Sequence, residues 1–180
     1  PAIFGPWVPF VLDSAEIEDG QSVLDVACGT GVIANGAAER VGATGSVTGL
    51  DNNPAMIAVA SARSGNKVHW RTADAQVLPF PDRSFDRVIC QLGLQYFPDR
   101  PAAVREMRRV LRPGGLVALA DNDWDTLVID GSDLETSRAY TAYVSTRVVR
   151  NATIGRQLAR LAHDAGLTVR AVEAIPVVFT

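Results

Sequence analysis

The sequence predicts a doubly wound α/β fold: a mainly parallel, Rossmann-like sheet with helices on both faces. Three observations carry that prediction. Short, near-continuous apolar runs recur along the chain, at residues 23–27, 47–51, 86–90 and 116–120. Segments with helical apolar spacing lie between them, and the first run ends in a glycine-rich turn. Strands apolar on both sides belong to a sheet covered on both faces, and alternation with helices supplies the crossovers that parallel pairing requires.

The elements follow in order. Residues 7–16 place Val8, Val11, Leu12 and Ala15 at helical spacing, and Asp19-Gly20 then breaks the chain before the first strand. Residues 33–41 are Ala-rich and helical, closed by Gly42 and Gly45. The second strand, 47–51, leads into Asn53-Pro54, which opens a helix over 55–64 with proline near its first turn. Residues 67–72 are a third strand and 86–90 a fourth. The segment 101–111 is a strongly amphipathic helix, stopped by Arg112-Pro113-Gly114-Gly115 before the fifth strand at 116–120. A less regular stretch covers 121–152. A helix over 154–165 ends at Gly166, and 168–179 reads as strand-like with Pro176 inside it.

Composition bounds the function. The 180 residues make one domain's worth of chain. A net charge of −3, with 47% hydrophobic and 21% charged residues, describes a globular protein with no general attraction for phosphate backbones. Nucleic acid is therefore not the expected partner. No apolar run approaches the roughly 18 residues that span a bilayer. Cys28 and Cys90 form no disulfide framework and join no Cys/His ligand set, so no metal site is expected and a reducing cytoplasm fits. The start, Pro1-Ala2-Ile3-Phe4-Gly5-Pro6, has neither an initiator Met nor a signal-peptide layout. Residues 1–180 are expected to be a single domain cut from a longer chain at both ends.

Sheets of this kind bind ligands beyond the carboxyl ends of their strands, at the switch in strand order. There Gly29-Thr30-Gly31-Val32-Ile33-Ala34 matches the G-x-G-x-x-G/A loop of dinucleotide enzymes, with Asp51 twenty residues beyond Gly31. The loop alone is compatible with a tight turn that needs glycine only for its shape, or with a nucleotide-bearing ligand lying against exposed backbone N–H groups. Asp25, inside the strand four residues before Gly29, narrows the choice of ligand. A carboxylate would crowd a pyrophosphate seated on the helix N-terminus. It suits a ligand with a cationic end and no phosphate, such as S-adenosylmethionine.

The segment Val23-Leu24-Asp25-Val26-Ala27-Cys28-Gly29-Thr30-Gly31 resembles motif I of the class I S-adenosylmethionine-dependent methyltransferases. The resemblance continues through Gly49-Leu50-Asp51, Ala73-Asp74-Ala75 and the run from Leu78-Pro79-Phe80 to Asp86. It extends to Cys90-Gln91-Leu92-Gly93-Leu94-Gln95-Tyr96-Phe97-Pro98-Asp99 and Arg109-Val110-Leu111-Arg112-Pro113-Gly114-Gly115, so that roughly residues 20–120 are covered. The nearest branch is that of the ubiquinone and menaquinone biosynthesis methyltransferases (methyltransferase type 11). The resemblance implies S-adenosyl-L-methionine as cofactor and a set of contacts. Asp25, Ala27, Gly29, Thr30 and Gly31 would surround its methionine part. Asp51 would accept from both ribose hydroxyls, with Asn52 beside it and Met56 near the adenine. Asp74 would accept from the adenine amino group, the Ala75 N–H would meet a ring nitrogen, and Gln91 would lie near the methionine ammonium.

Each of these residues also has a plainer reading. Asp51, Asn53 and Asp74 suit helix caps, and Met56 suits helix packing. Asp82 and Asp99 read as turn residues, Cys28 and Cys90 as small buried side chains, His69 and His163 as structural, and Arg105, Arg108, Arg109 and Arg112 as a solvated stripe on one helix. The expected acceptor is a small molecule with an O, N or C nucleophile, methylated by in-line displacement. Tyr96, Asp121, Asp123 and Trp124 lie where it would enter. Tyr96, Phe97, Trp124, Tyr140 and Tyr143 suit an apolar pocket, and no catalytic residue is singled out. The resemblance also implies a terminal antiparallel strand, and after 168–179 no further strand is available for it. Two alternatives stay open at this point: an NAD(P)-dependent oxidoreductase using the same loop, and a cofactor-binding domain without turnover.

Overall fold

Five parallel strands lie in the order β3-β2-β1-β4-β5, so successive strands are added in one direction as far as β3 and in the other from β4, and the switch lies between β1 and β4. The computed structural model describes residues 7–64, 67–130 and 133–176. In chain order the elements are α1 (Val8–Ser14), β1 (Ser22–Val26), α2 (Val32–Arg40), β2 (Ser46–Asp51), α3 (Pro54–Ser64), β3 (His69–Thr72), β4 (Phe85–Gln91), α4 (Arg100–Val110) and β5 (Leu111–Ala120). There follow a 3-10 turn (Trp124–Thr126), α5 (Leu134–Tyr143), a π-helical turn (Val144–Val148), a 3-10 turn (Gly155–Gln157) and α6 (Leu158–Asp164).

The period-two alternation of strand side chains builds two cores. On one face Leu24, Val26, Val88 and Cys90 meet Ala103, Val104, Met107 and Val110 of α4, together with Ile154, just before the Gly155–Gln157 turn, and Leu161 of α6. On the other, Val23, Val47, Ile89 and Ala118 meet Val11, Leu12 and Ala15 at α1 and Ile33, Ala34 and Ala37 of α2. Helices on both faces leave the carboxyl ends of the strands as the open rim, and that is what positions the site.

The Arg112-Pro113-Gly114-Gly115 stop lies within β5. Phe85 pairs with Leu111 and Arg87 with Leu116, so the four residues loop out against β4, with Gly114 at φ +80°. Three sequence expectations change. The strand-like reading of 168–179 fails over the described residues 168–176, which pair with no strand. Val172 stands 75% exposed there, and an apolar run without a ladder partner has nothing to hold it extended; residues 177–179 lie outside the described set. The 154–165 helix is a 3-10 turn followed by the shorter α6. The arginine stripe is largely engaged. Arg109 donates to both carboxylate oxygens of Glu106, to Asp82 and to the Phe80 and Leu78 carbonyls, and it holds the Glu106 carboxyl below its usual range. Arg108 donates to the Gly166 carbonyl, and Arg112, which lies on β5, pairs with Asp86.

Candidate functional site

The strand order sets a row of polar groups along the rim. Asp74 and Ala75 follow β3, Asp51 ends β2, Asp25 and the Ala27–Gly31 loop belong to β1, and Gln91 ends β4. Backbone pairing carries on past the strands, with Cys28 N donating to the Leu50 carbonyl at 3.0 Å, Ala73 N to Asp51 at 3.0 Å and Leu92 N to Ala120 at 2.8 Å. The two strands flanking the switch are each followed by a residue in the left-handed region, Ala27 and Leu92, both at φ 58°. For side chains with a Cβ this costs on the order of 1–3 kcal/mol, and the strain turns the loops apart at that point.

The glycines of the loop do different things. A Cβ on Gly31, at φ +83°, would meet the Trp70 ring at 2.5 Å, so this glycine is needed for packing. Gly29 has φ +55°, and a Cβ there would meet nothing within 4 Å. It opens onto free space. Gly31→Ala is expected to destabilise the fold measurably in thermal unfolding. Gly29→Ala should cost only about 1 kcal/mol of backbone strain while filling the space the loop leaves open.

Asp51 is buried, and both its oxygens organise this loop. One accepts from Gly29 N at 2.8 Å and the other from Asn53 N at 2.9 Å. Capping of α3 falls to Asn53, whose side chain accepts from Ala55 N at 3.0 Å. Asn52 and Met56 are exposed beside it, Met56 at 40%, so the packing reading of Met56 does not hold. Asp74 is exposed and accepts from Gln76 N at 2.8 Å and Gln76 Nε2 at 3.1 Å, while Gln76 in turn accepts from Asp99 N. Asp99, expected in a turn, is the cap of α4, accepting from Ala102 N.

Asp25 is 1% exposed, and its Oδ2 has no hydrogen-bond partner. Burial pushes its carboxyl up to about 8; the Ala34 backbone N–H works against that and the Asp51 charge adds to it. The amide nitrogen of Gln91 is likewise buried without a partner. Both cysteines are buried, and burial raises both thiols, with nearby carboxylates adding to the effect, so neither is a nucleophile.

Beside the row lies a network that the sequence does not announce. Gln95, 2% exposed, accepts from the Trp124 indole N–H at 2.9 Å and donates its backbone N–H to Asp121 at 3.1 Å. The Asn151 side-chain amide donates to the carbonyls of Leu94, Gln95 and Phe97 at 3.1–3.2 Å. Separations of 54 to 57 residues leave no local signal for such bonds. The five aromatics expected to form a pocket separate. Phe97 packs on the core and Trp124 is half-buried, while Tyr96, Tyr140 and Tyr143 are all more than half exposed.

A description of a methyltransferase domain matches residues 23–115, more than half of the chain. The chain belongs to this methyltransferase family. Over 171 residues it is 43% identical to the "uncharacterized 37.1 kDa protein in transposon TN4556" of Streptomyces fradiae, covering 94% of this chain and 50% of that protein. Over 125 residues it is 37% identical to the demethylmenaquinone methyltransferase of Staphylococcus haemolyticus, covering 68% and 52%. The chain thus spans about half the length of the curated relatives it matches. The crystal structure of a SAM dependent methyltransferase from Aquifex aeolicus superposes with a TM-score of 0.69 at 20% identity, over 88% of this chain and 78% of that one, and establishes the likeness of fold.

The family's cofactor is S-adenosylmethionine, and the donor set fits it. A cradle open at Gly29, an orphaned buried carboxyl oxygen on Asp25 and an orphaned amide on Gln91 all lie at the carboxyl ends of the neighbouring strands β1 and β4. Membership of the methyltransferase family sets aside the nicotinamide-dependent alternative. No helix among the described residues is long and apolar enough to cross a membrane.

Proposed function

We propose that this chain is the cofactor-binding domain of an S-adenosylmethionine-dependent enzyme that methylates a small molecule. The observation that carries the reading is the unpartnered Asp25 carboxyl oxygen beside the open Gly29 loop. A buried carboxyl is tolerated where something arrives to complement it, and an ammonium group does so.

The row along the rim matches a ligand with a cationic end, a sugar and a base. Asp25, Ala27, Gly29, Thr30, Gly31 and Gln91 would hold the methionine part. Asp51, fixed by two loop amides, keeps lone pairs on both oxygens for vicinal hydroxyls, with Asn52 alongside. Asp74, Ala75 and Met56 would receive the adenine. The cofactor supplies a methyl group already activated on a sulfonium. The chain's own work is then to bind, align and exclude water, so the rim can serve catalysis by geometry. Relatives named for demethylmenaquinone support an acceptor of the reduced-quinone type. The buried thiols suit the reducing cytoplasm.

The first test is thermal unfolding with S-adenosylhomocysteine beside NAD. Ligand at a hundred times its Kd should stabilise the fold by about 2.7 kcal/mol. Stabilisation by NAD alone would reject the reading. Turnover on panels of quinols, phenols and amines beside tRNA and peptides tests the acceptor. Saturable methylation of tRNA with silence on every small molecule would overturn that part, and binding without any turnover would leave a cofactor-binding domain.

A further inference from the structure

We infer that Asp121 is the general base of the acceptor site, taking the proton of an aromatic hydroxyl as that acceptor is methylated. The inference rests on the methyltransferase reading with its acceptor of the reduced-quinone type, and adds to it the residue that takes the hydroxyl proton.

Placement comes first. Asp121 is the first residue past β5, and the pairing of Gln91 with Ala120 sets it just beyond the end of β4, on the same rim as the Gly29 loop. The neighbouring Gln91 amide nitrogen is buried with no partner. Asp121 Oδ2 accepts from Gln95 N at 3.1 Å and Oδ1 from Asn122 N at 3.0 Å. Two neutral N–H groups fix the carboxylate, and each oxygen retains accepting capacity. The residue is half-buried at that rim.

Charge comes second. Three carboxylates that brace this fold have arginine partners: Asp86 has Arg112, Glu106 has Arg109, and Asp123 has Arg156. The pairs of Asp121 are backbone amides. The charged group of the adjoining 3-10 turn, Arg156, is occupied by Asp123 and Asp125. The nearby acidic groups are the Cys90 thiol of β4 and Asp25 of β1; the charges of Asp121 and Asp25 both act on that thiol. Burial then lifts the Asp121 carboxyl to about 7, against the lowering pull of the Gln95, Asn122 and Leu94 backbone groups. A base is most effective when it titrates near the working pH.

The same Gln95 that donates to Asp121 also fixes the Trp124 indole, which puts a flat apolar ring in the network that holds the carboxylate. That combination suits a hydroxylated aromatic ring. A thioether has no proton to give up, and a neutral amine attacks through its lone pair before it loses one. A phenol is a poor nucleophile until its proton leaves. In the step, the hydroxyl O–H bond breaks and its proton passes to Asp121. The electron pair freed on the acceptor forms the new bond to the methyl carbon, at that oxygen or at the ring carbon beside it. The methyl–sulfur bond breaks with its pair going to sulfur. On the carbon route the displaced ring hydrogen moves to the oxygen and restores the hydroxyl. Asp121 then returns its proton to water.

The test compares wild type with Asp121→Asn and Asp121→Glu on a series of phenols and 1,4-naphthalenediol, graded in acidity and including 4-nitrophenol, which is largely ionised at mildly alkaline pH. S-adenosylhomocysteine affinity and unfolding temperature are measured in parallel. Asp121→Asn should lose at least about 100-fold in kcat on weakly acidic phenols, the usual scale for a general base. It should lose less than about threefold on ionised 4-nitrophenol and keep its affinity for S-adenosylhomocysteine. The rise of wild-type kcat through pH 7 should disappear in Asp121→Asn and return in part in Asp121→Glu. Equal losses across the series, or an unchanged pH profile in Asp121→Asn, would overturn the inference. So would S-adenosylhomocysteine binding with methylation of amines and of no phenol, which leaves the methyltransferase reading standing. Absence of S-adenosylhomocysteine binding in wild type would remove both. An Asp121→Asn chain that fails to fold, with Asp121→Glu folded and inactive on every phenol, also counts against the base.

Discussion

Asp51→Ala is expected to weaken S-adenosylhomocysteine binding by about 1.5–3 kcal/mol, roughly ten- to over a hundredfold, and to loosen the empty protein as well. The binding loss comes from the hydroxyl contacts proposed for this carboxylate. The second loss comes from the loop itself, since Gly29 N and Asn53 N both donate to Asp51 and would be left without acceptors. An N–H stranded in a part-buried position costs on the order of 1–3 kcal/mol. The conservative Asp51→Asn change separates the two effects. Its amide retains one oxygen, so one loop bond survives, while its NH2 group faces the other donor and cannot accept from a hydroxyl. Calorimetry on a folded Asp51→Asn protein should show a clear loss of affinity. Unchanged affinity would remove Asp51 from the ligand site and leave it as a brace for the glycine loop.

The two roles of Asp51 show how far the sequence could be read. The spacing of Gly29, Gly31 and Asp51 marks a strand–turn–helix unit because its backbone demands are local: left-handed φ at the glycines and a carboxylate twenty residues on. Strand order and the row of acidic groups follow from the same regularity, since βα units pack in few ways. Two things escape such reasoning. One is which glycine serves packing and which leaves space, because the Trp70 ring that decides it for Gly31 arrives from β3. The other is everything held by long-range side-chain bonds. Arg109 looked like one solvated cation among four, yet its partners at 78, 80 and 82 make it the clasp between α4 and the loop before β4. Asn151 and Gln95 have no local pattern at all, because a buried amide that satisfies distant carbonyls is specified only by the folded chain. Residues 168–176 show the converse failure: an apolar run predicts a strand only where a neighbouring edge takes it up.

Stability of the empty protein should fall as pH rises from 5 to 8, against the usual behaviour of acidic side chains. The Asp25 carboxyl lies at about 8 in the fold, raised chiefly by burial, and an unfolded chain returns it to the ordinary carboxylate value of 3.8. Between those values the folded state holds a proton that the unfolded state has released. The stabilisation is complete below pH 4 and is lost as pH climbs through 8. One proton sets a limit of about 1.4 kcal/mol per pH unit. Asp121, at about 7, adds a slope of the same sign that ends one unit earlier. Asp86 and Glu106, whose carboxyls are lowered, act with the opposite sign, but only in the acid range below these windows. Denaturant titrations of wild type from pH 5 to 8.5 should therefore show a decline that persists between pH 7 and 8. In Asp25→Asn, which keeps the shape and cannot ionise, the decline should stop near pH 7 and the protein should be the more stable of the two at pH 8. Ligand binding then runs the other way. A cationic group arriving at Asp25 Oδ2 favours the ionised carboxylate, so S-adenosylhomocysteine affinity should rise between pH 6 and 7.5, by up to about tenfold per unit, with a proton released to buffer. That rise should be missing in Asp25→Asn. A wild-type affinity that stays flat over this range, with no proton released, would show that the ligand's cationic end does not meet Asp25.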